Sequence, residues 1–131
     1  MIGEVIAYFK GKITGVRVLS GGKIETSEQG LGSILGTEAT WLATSVSTPM
    51  SNGILMGEGD ALVTTKDGEV VMIRKIGIGW STGRGRKANR RGVFFHMTQS
   101  QKLASLNRVI GMWEFESEEN GDWHVKVWEW K

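Results

Sequence analysis

Short apolar runs, alternating or continuous, are each closed by glycine or a polar turn, and this pattern organises the whole chain. Lys12 to Leu19 reads as a strand that Ser20-Gly21-Gly22 turns back, and Lys23 to Leu35 follows with Gly30 and Gly32 as bend points inside it. Gly36 breaks the run. Thr37 to Ser47, rich in Thr, Val and Trp, predicts a third strand, and the longer connection Thr48 to Gly53 leads to a fourth, Ile54 to Thr65. Lys66-Asp67-Gly68 supplies the strongest hairpin signal, an Asp-Gly between two β-rich segments, so Glu69 to Trp80 is the fifth strand. Val93 to Thr98, Val109 to Glu116 and Trp123 to Trp130 complete a set of eight, the last two joined through Glu119-Asn120-Gly121-Asp122 with its favoured Asn-Gly turn.

Two segments depart from this rhythm. Ile2, Val5, Ile6 and Phe9 fall at helical spacing, while Val5, Ala7 and Phe9 alternate as in a strand, so both readings stand there. Thr98 and Gln101 match a capping box ahead of Leu103 and Leu106, which predicts a short helix over about residues 100–106, covering one end of the fold.

Eight short antiparallel strands with turns between neighbours predict an all-β protein, an eight-stranded up-and-down barrel, because closure removes the edges that would template aggregation. An open sandwich is the alternative. Nineteen glycines against one proline fit either, since glycine permits tight turns and bends while proline interrupts ladder hydrogen bonds. Several strands are apolar on both faces: Phe95 and Met97 oppose Phe94, and Trp123, Val125 and Val127 oppose Trp128 and Trp130. A barrel needs only one apolar lining, so the second face predicts a homo-oligomer.

At 131 residues the chain fits one domain, residues 1–131, with enough length to bury a core unaided. Cysteine is absent, which removes disulfide frameworks and thiolate zinc sites. The first twelve residues lack the apolar stretch of a signal peptide and no run reaches the length of a membrane helix, so a cytoplasmic protein without membrane attachment is expected.

Charge adds one local feature. Arg84, Arg86, Lys87, Arg90 and Arg91 lie between Gly83 and Gly92 with no acid among them, and without these five the remaining chain carries 11 cations against 14 acids. The segment reads as a mobile loop between the fifth and sixth strands, able to bind phosphate or an acidic partner. A solvated loop accounts for it equally. Nucleic acid is the less favoured partner, because Trp80 is the only aromatic beside the loop and nucleic-acid proteins show a broader basic face.

One literal motif match and two weaker patterns fail on context. Gly79-Trp80-Ser81-Thr82-Gly83 fits the Gly-x-Ser-x-Gly nucleophile elbow, with Asp122 and His124 following, but that motif requires a strand turning into a helix on a parallel sheet. Gly30, Gly32 and Gly36 repeat the spacing of Gly77, Gly79 and Gly83, yet neither set opens a helix that could hold a pyrophosphate, and barrel bends explain both. His96 and His124 lie on different strands without metal-ligand spacing, so no metal and no cofactor is expected.

Acids inside β-rich segments are more informative. Glu28, Glu38, Glu58, Asp60 and Glu114 interrupt strands rather than sitting in turns. A carboxylate drawn into an apolar lumen beside Trp41 or Trp113 could serve as general acid or base or hold a polar ligand group, and Glu38 and Glu58 are the first pair to consider. The alternative is simple alternation, in which these acids line the solvent face and pair with Arg17, Arg74 or Lys75 across strands.

Gly11-Lys12-Ile13-Thr14-Gly15, the polar strand Glu25 to Gly30, Gly57-Glu58-Gly59 and Gly111-Met112-Trp113-Glu114 together give a layout that resembles the small uncharacterised barrels similar to allene oxide cyclase, within the calycin group. The resemblance implies an eight-stranded barrel whose lumen binds a small apolar molecule, and oligomers; the family's catalytic residues do not map onto this sequence. Two functions follow as expectations. One is a barrel binding an apolar or amphipathic anionic ligand, with isomerase or cyclase activity as its enzymatic form, and with Glu28, Glu38, Glu58, Glu114, Trp41 and Trp113 as lining candidates. The other is a non-catalytic binding or assembly protein that docks nucleic acid or an acidic partner through residues 84–91.

Overall fold

The computed structural model describes all 131 residues as eight strands and two short 3-10 turns. The strands are β1 (Ile2–Val18), β2 (Ile24–Ile34), β3 (Thr37–Pro49), β4 (Ile54–Thr65), β5 (Val70–Ser81), β6 (Ala88–Thr98), β7 (Ile110–Ser117) and β8 (Asp122–Trp130). Each pairs antiparallel with the next, and β8 returns to β1, so the sheet is a closed up-and-down barrel rather than an open sandwich. No helix is long and apolar enough to cross a membrane.

Three segments differ from the expected pattern, each for a local reason. The N-terminal segment is strand throughout: its pairing with β8 slips between Val5 and Ala7, which buries both Ile6 and Ala7 and leaves Ile2 and Val5 outside. The helical spacing there is produced by that slip. β6 begins at Ala88, five residues before the apolar run, so Arg90 and Arg91 belong to a strand and the loop contracts to residues 82–87. The helix expected over 100–106 is a 3-10 turn at Ala104–Arg108. Ser100 rather than Thr98 caps this connection, its Oγ accepting the Leu103 N–H at 3.2 Å.

That connection closes one end of the barrel with the buried Leu103 and Leu106. Asn107 ties it to β6, its Oδ1 accepting the Thr98 N–H at 2.8 Å and its Nδ2 donating to the Thr98 carbonyl at 3.0 Å. His96, the last inward ring before this plug, has its Nδ1 3.1 Å from the Val109 carbonyl; burial holds it below the ordinary histidine range, partly offset by that bond. The opposite end is framed by the turns at 19–23, 50–53, 82–87 and 118–121.

Aromatic rings fill the middle of the lumen. Trp41 lies 5.1 Å from Phe9, 5.9 Å from Phe94 and 5.8 Å from Trp123 between ring centroids; Phe115 stacks on Trp123 at 5.5 Å, and Phe94 meets Trp113 at 5.7 Å. An eight-stranded interior is just wide enough for its own side chains, so rings of this size need empty positions opposite. Gly77 and Gly92 supply them for Trp113: they are paired in register, and a Cβ added to either would come within 2.8 Å and 2.7 Å of its ring.

Outside, the acids pair with basic neighbours across strands, Arg74 with Asp60 at 2.9 Å and Glu58 at 3.0 Å, and Arg17 with Glu25 at 3.1 Å. Between these polar groups runs an exposed apolar row, Leu42, Leu62, Met72 and Met97, aligned by register across β3 to β6.

Gly92→Ala is expected to cost about 3 kcal/mol of stability through overpacking, since its Cβ would meet the Ile76 carbonyl oxygen at 2.0 Å as well as Trp113. Gly15→Ala, with open space around its Cβ, is expected to change stability by less than about 0.5 kcal/mol. Urea unfolding followed by tryptophan fluorescence measures both.

Candidate functional site

Above the aromatic layer the lumen becomes polar. Alternation on β2 turns Thr26 and Glu28 inward, on β3 it turns Trp41, Ala43, Ser45 and Ser47 inward, and on β5 it carries Val71, Ile73 and Lys75 along the same face. Glu28 is completely buried, at 0 % exposure. Its Oε1 accepts the Trp41 Nε1–H at 3.1 Å and pairs with the Lys75 ammonium at 3.2 Å. The ammonium also lies 5.4 Å above the Trp41 ring.

Arg90 adds a second cation. Its parity on β6 matches that of Phe94, and Gly79 opposite makes room for its stem, since a Cβ there would meet Arg90 Cγ at 2.8 Å. The guanidinium rests 5.5 Å from the Phe115 ring centre. Burial lowers the Arg90 pKa from the usual arginine range, an effect that the Glu28 charge partly offsets. Two cations thus face one carboxylate in this part of the lumen, a formal excess of one positive charge.

Several polar atoms in the cluster lack a partner. Glu28 Oε2, Ser45 Oγ and Trp113 Nε1 are all buried without a hydrogen bond, and all three residues line one cavity together with Trp41, Lys75, Arg90 and Phe94. The cavity itself is small, about 30 Å³, and the space around it, open solvent included, comes to about 490 Å³; its lining runs on through Ser47, Leu55, Gly57 and Gly79 toward the end framed by the 82–87 loop. A buried polar group left bare costs about 1–3 kcal/mol. Native proteins keep few of them unless water or a ligand completes the set.

Of the candidates named from sequence, Glu28, Trp41 and Trp113 turn into this cavity, and Glu58 borders it while its carboxylate pairs with Arg74 outside. Glu38, Glu58 and Glu114 do not face the lumen, because the inward positions on their strands belong to Ala39 and Trp41, to Gly59 and Ala61, and to Trp113 and Phe115. Glu38 is exposed, Glu58 holds Arg74, and Glu114 stands in register between Arg91 and Lys126 on the outer surface.

The five cations divide as well. Arg84 and Arg86 are exposed in the loop, and Lys87 pairs with Glu118 at 3.5 Å, clasping the loop to the β7–β8 turn. Arg91 faces outward, 5.9 Å from the Trp80 ring centre, and Arg90 turns inward. Lys75 and Ser45 were not foreseen as site residues. The inward parity of Val71 and Ile73 marks Lys75, and that of Trp41 and Ala43 marks Ser45. Ser81 ends β5 and donates its hydroxyl to the Gly83 carbonyl at 2.9 Å, and His124 stacks on Tyr8 at 6.3 Å on the outer surface.

No family model matches the chain, and no curated protein is similar to it in sequence. Solved structures share its fold. A protein of unknown function from Clostridium acetobutylicum superposes with a TM-score of 0.83 at 12% identity over 98% of both chains. A β-barrel-like protein from Acinetobacter baumannii gives 0.82 at 14% identity over 100% of this chain and 96% of its own. A conserved protein of unknown function from Rhodopseudomonas palustris gives 0.81 at 12% identity over 98% and 97%. At these identities the likeness concerns the fold, an uncharacterised small β-barrel.

Lys75→Met is expected to cost about 3–5 kcal/mol, because it strips the buried Glu28 of its counter-ion. Combining it with Glu28→Leu should recover most of that loss, since an apolar pair of similar volume needs no desolvated charge. Equilibrium unfolding of the two single variants and the double variant tests this coupling.

Proposed function

We propose that the barrel binds a small organic carboxylate with a short apolar body in its lumen. The observation that carries this reading is the excess of cation over acid in a luminal cavity whose wall holds an unpartnered indole N–H, a serine hydroxyl and the Arg90 guanidinium. A carboxylate supplies acceptors for those donors, and desolvated charge-assisted bonds of this kind are the strong ones. The aromatic layer below gives the apolar body a surface to rest on. Arg84 and Arg86 at the rim raise the local concentration of anions.

The resemblance in layout to the allene oxide cyclase-like barrels of the calycin group agrees with this reading, since it implies a lumen that can bind a small apolar molecule; their cyclase chemistry is not part of it. A cysteine-free chain suits a cytoplasmic setting. Docking of nucleic acid through residues 84–91 has less support, because the five cations point in different directions and Lys87 is already paired.

Calorimetric titration with a series of short straight-chain, 2-hydroxy and 2-oxo acids tests the reading. At least one should bind wild type, and Arg90→Gln should weaken it about tenfold or more, whereas Arg84→Ser with Arg86→Ser should leave the affinity within a few-fold. No binding by wild type, or unchanged binding by Arg90→Gln, would contradict it.

The outer row of Leu42, Leu62, Met72 and Met97 favours a second property, pairing of two copies of the chain. Arg74, Asp60 and Glu58 flank the row, so a two-fold arrangement lets the basic and acidic groups of each copy face their opposites in the other. Light scattering should give a dimer mass for wild type and a monomer mass for Leu62→Lys; a monomeric wild type would rule the pairing out.

A further inference from the structure

Glu28 is held asymmetrically. Oε1 takes both available donors, Trp41 Nε1–H and Lys75 Nζ, while Oε2 is buried with none, in the wall of the cavity. A carboxylate retained only as a counter-ion gains from sharing its donors between both oxygens. Here one oxygen fixes the group and the other is left bare beside free space, an arrangement suited to receiving a proton. Around it stand groups that stabilise a developing negative charge: the Lys75 ammonium, the Arg90 guanidinium, the Trp113 indole N–H and the Ser45 hydroxyl, all on the same cavity wall. The chain has no cysteine nucleophile.

We propose that Glu28 is a general base that removes a proton from the carbon next to the carbonyl of a bound 2-oxo acid, making the barrel a tautomerase or isomerase of such acids. This inference rests on the luminal carboxylate site proposed above. The substrate carboxylate is held by Arg90, and its keto oxygen accepts from Lys75 or Trp113. Glu28 Oε2 forms an O–H bond as the C3–H bond of the substrate breaks, and the electron pair moves through the new C2–C3 double bond onto the keto oxygen, giving an enolate. Transfer of that proton from Glu28 to the oxygen yields the enol; its return to C3 regenerates the ketone, and its delivery to a conjugated carbon shifts a double bond. Each route balances in atoms and electrons without a co-reactant, and positioned bases of this kind contribute about 100-fold to 10,000-fold in rate.

Proton NMR in D2O with 2-oxobutyrate as the probe reads the step directly, as loss of the C3 proton signal, while calorimetry on the same samples reads binding. Wild type should accelerate exchange well above buffer. Glu28→Gln should lower it about 100-fold or more while 2-oxobutyrate still binds within a few-fold of wild type. Because Glu28→Gln removes one charge of a buried ion pair and so lowers stability, Glu28→Asp serves beside it: it keeps the charge but withdraws the carboxylate by one methylene, and should lower exchange at least tenfold with binding retained. Glu38→Gln, on the outer surface, should exchange like wild type. Binding by wild type without exchange above buffer, or full exchange by folded Glu28→Gln or Glu28→Asp, would overturn the assignment of the base and leave the luminal site standing. Absence of 2-oxobutyrate binding to wild type would overturn the assignment through its substrate, while binding of other carboxylates would show the luminal site intact.

Discussion

Closing eight strands into a barrel fixes the volume of the interior, and every inward side chain competes for it. Six rings, Phe9, Trp41, Phe94, Trp113, Phe115 and Trp123, take the middle, and no Cβ fits at Gly77 and Gly92 against Trp113 or at Gly30 against Trp123. Leu103 and Leu106 seal one end. What remains is a small cavity toward the other end, and it is there that the chain places Glu28, Lys75 and Arg90. The glycines, the rings and the charged cluster are therefore one arrangement: fill the middle differently and the cavity above it changes.

Burying that cluster costs stability, since desolvation of an ion pair is rarely repaid by the attraction within it. The Trp41 indole and the Lys75 ammonium reduce the cost on one carboxylate oxygen only. Arg90, with no ion-pair partner within bonding distance, is stabilised by the Phe115 face and by the longer-range field of Glu28. A core designed for stability alone would place leucine and methionine at these positions. On the function proposed above, the polar residues are half of an interaction that a ligand completes, and the rim cations place an attractive field where it arrives.

Most of the barrel was legible in the sequence because turns and alternation are local. The Asp-Gly hairpin between β4 and β5 and the Asn-Gly turn before β8 mark their elements directly. Where the reading departed from the structure, a local signal was hidden by something non-local. The slip between Val5 and Ala7 mimicked helical spacing, and it exists only because β8 lies alongside. The start of β6 was masked by charge: Arg90 and Arg91 resemble loop residues until the pairing with β5 and β7 shows one facing in and the other out. The acids show the same limit of local information. Glu28, Glu38, Glu58 and Glu114 look alike along the chain, and only the parity fixed by neighbours such as Trp41 and Ala61 separates the first from the rest. Barrels from three bacteria share this architecture at 12% to 14% identity, which concerns the fold alone, so the charged cluster must be judged on its own geometry.

The indole N–H resonances of the six tryptophans offer the most direct test of a luminal site. Trp113 Nε1 is buried without a partner in the cavity wall, whereas Trp80 lies beside the basic loop and Trp130 is exposed on the outer surface. In a nitrogen–proton correlation spectrum recorded during titration with a small carboxylate, the Trp113 signal should move and saturate while those of Trp80 and Trp130 stay in place. Movement of Trp80 alone would put the anion on the loop, and six unmoved signals at saturating carboxylate would leave the lumen without a ligand site.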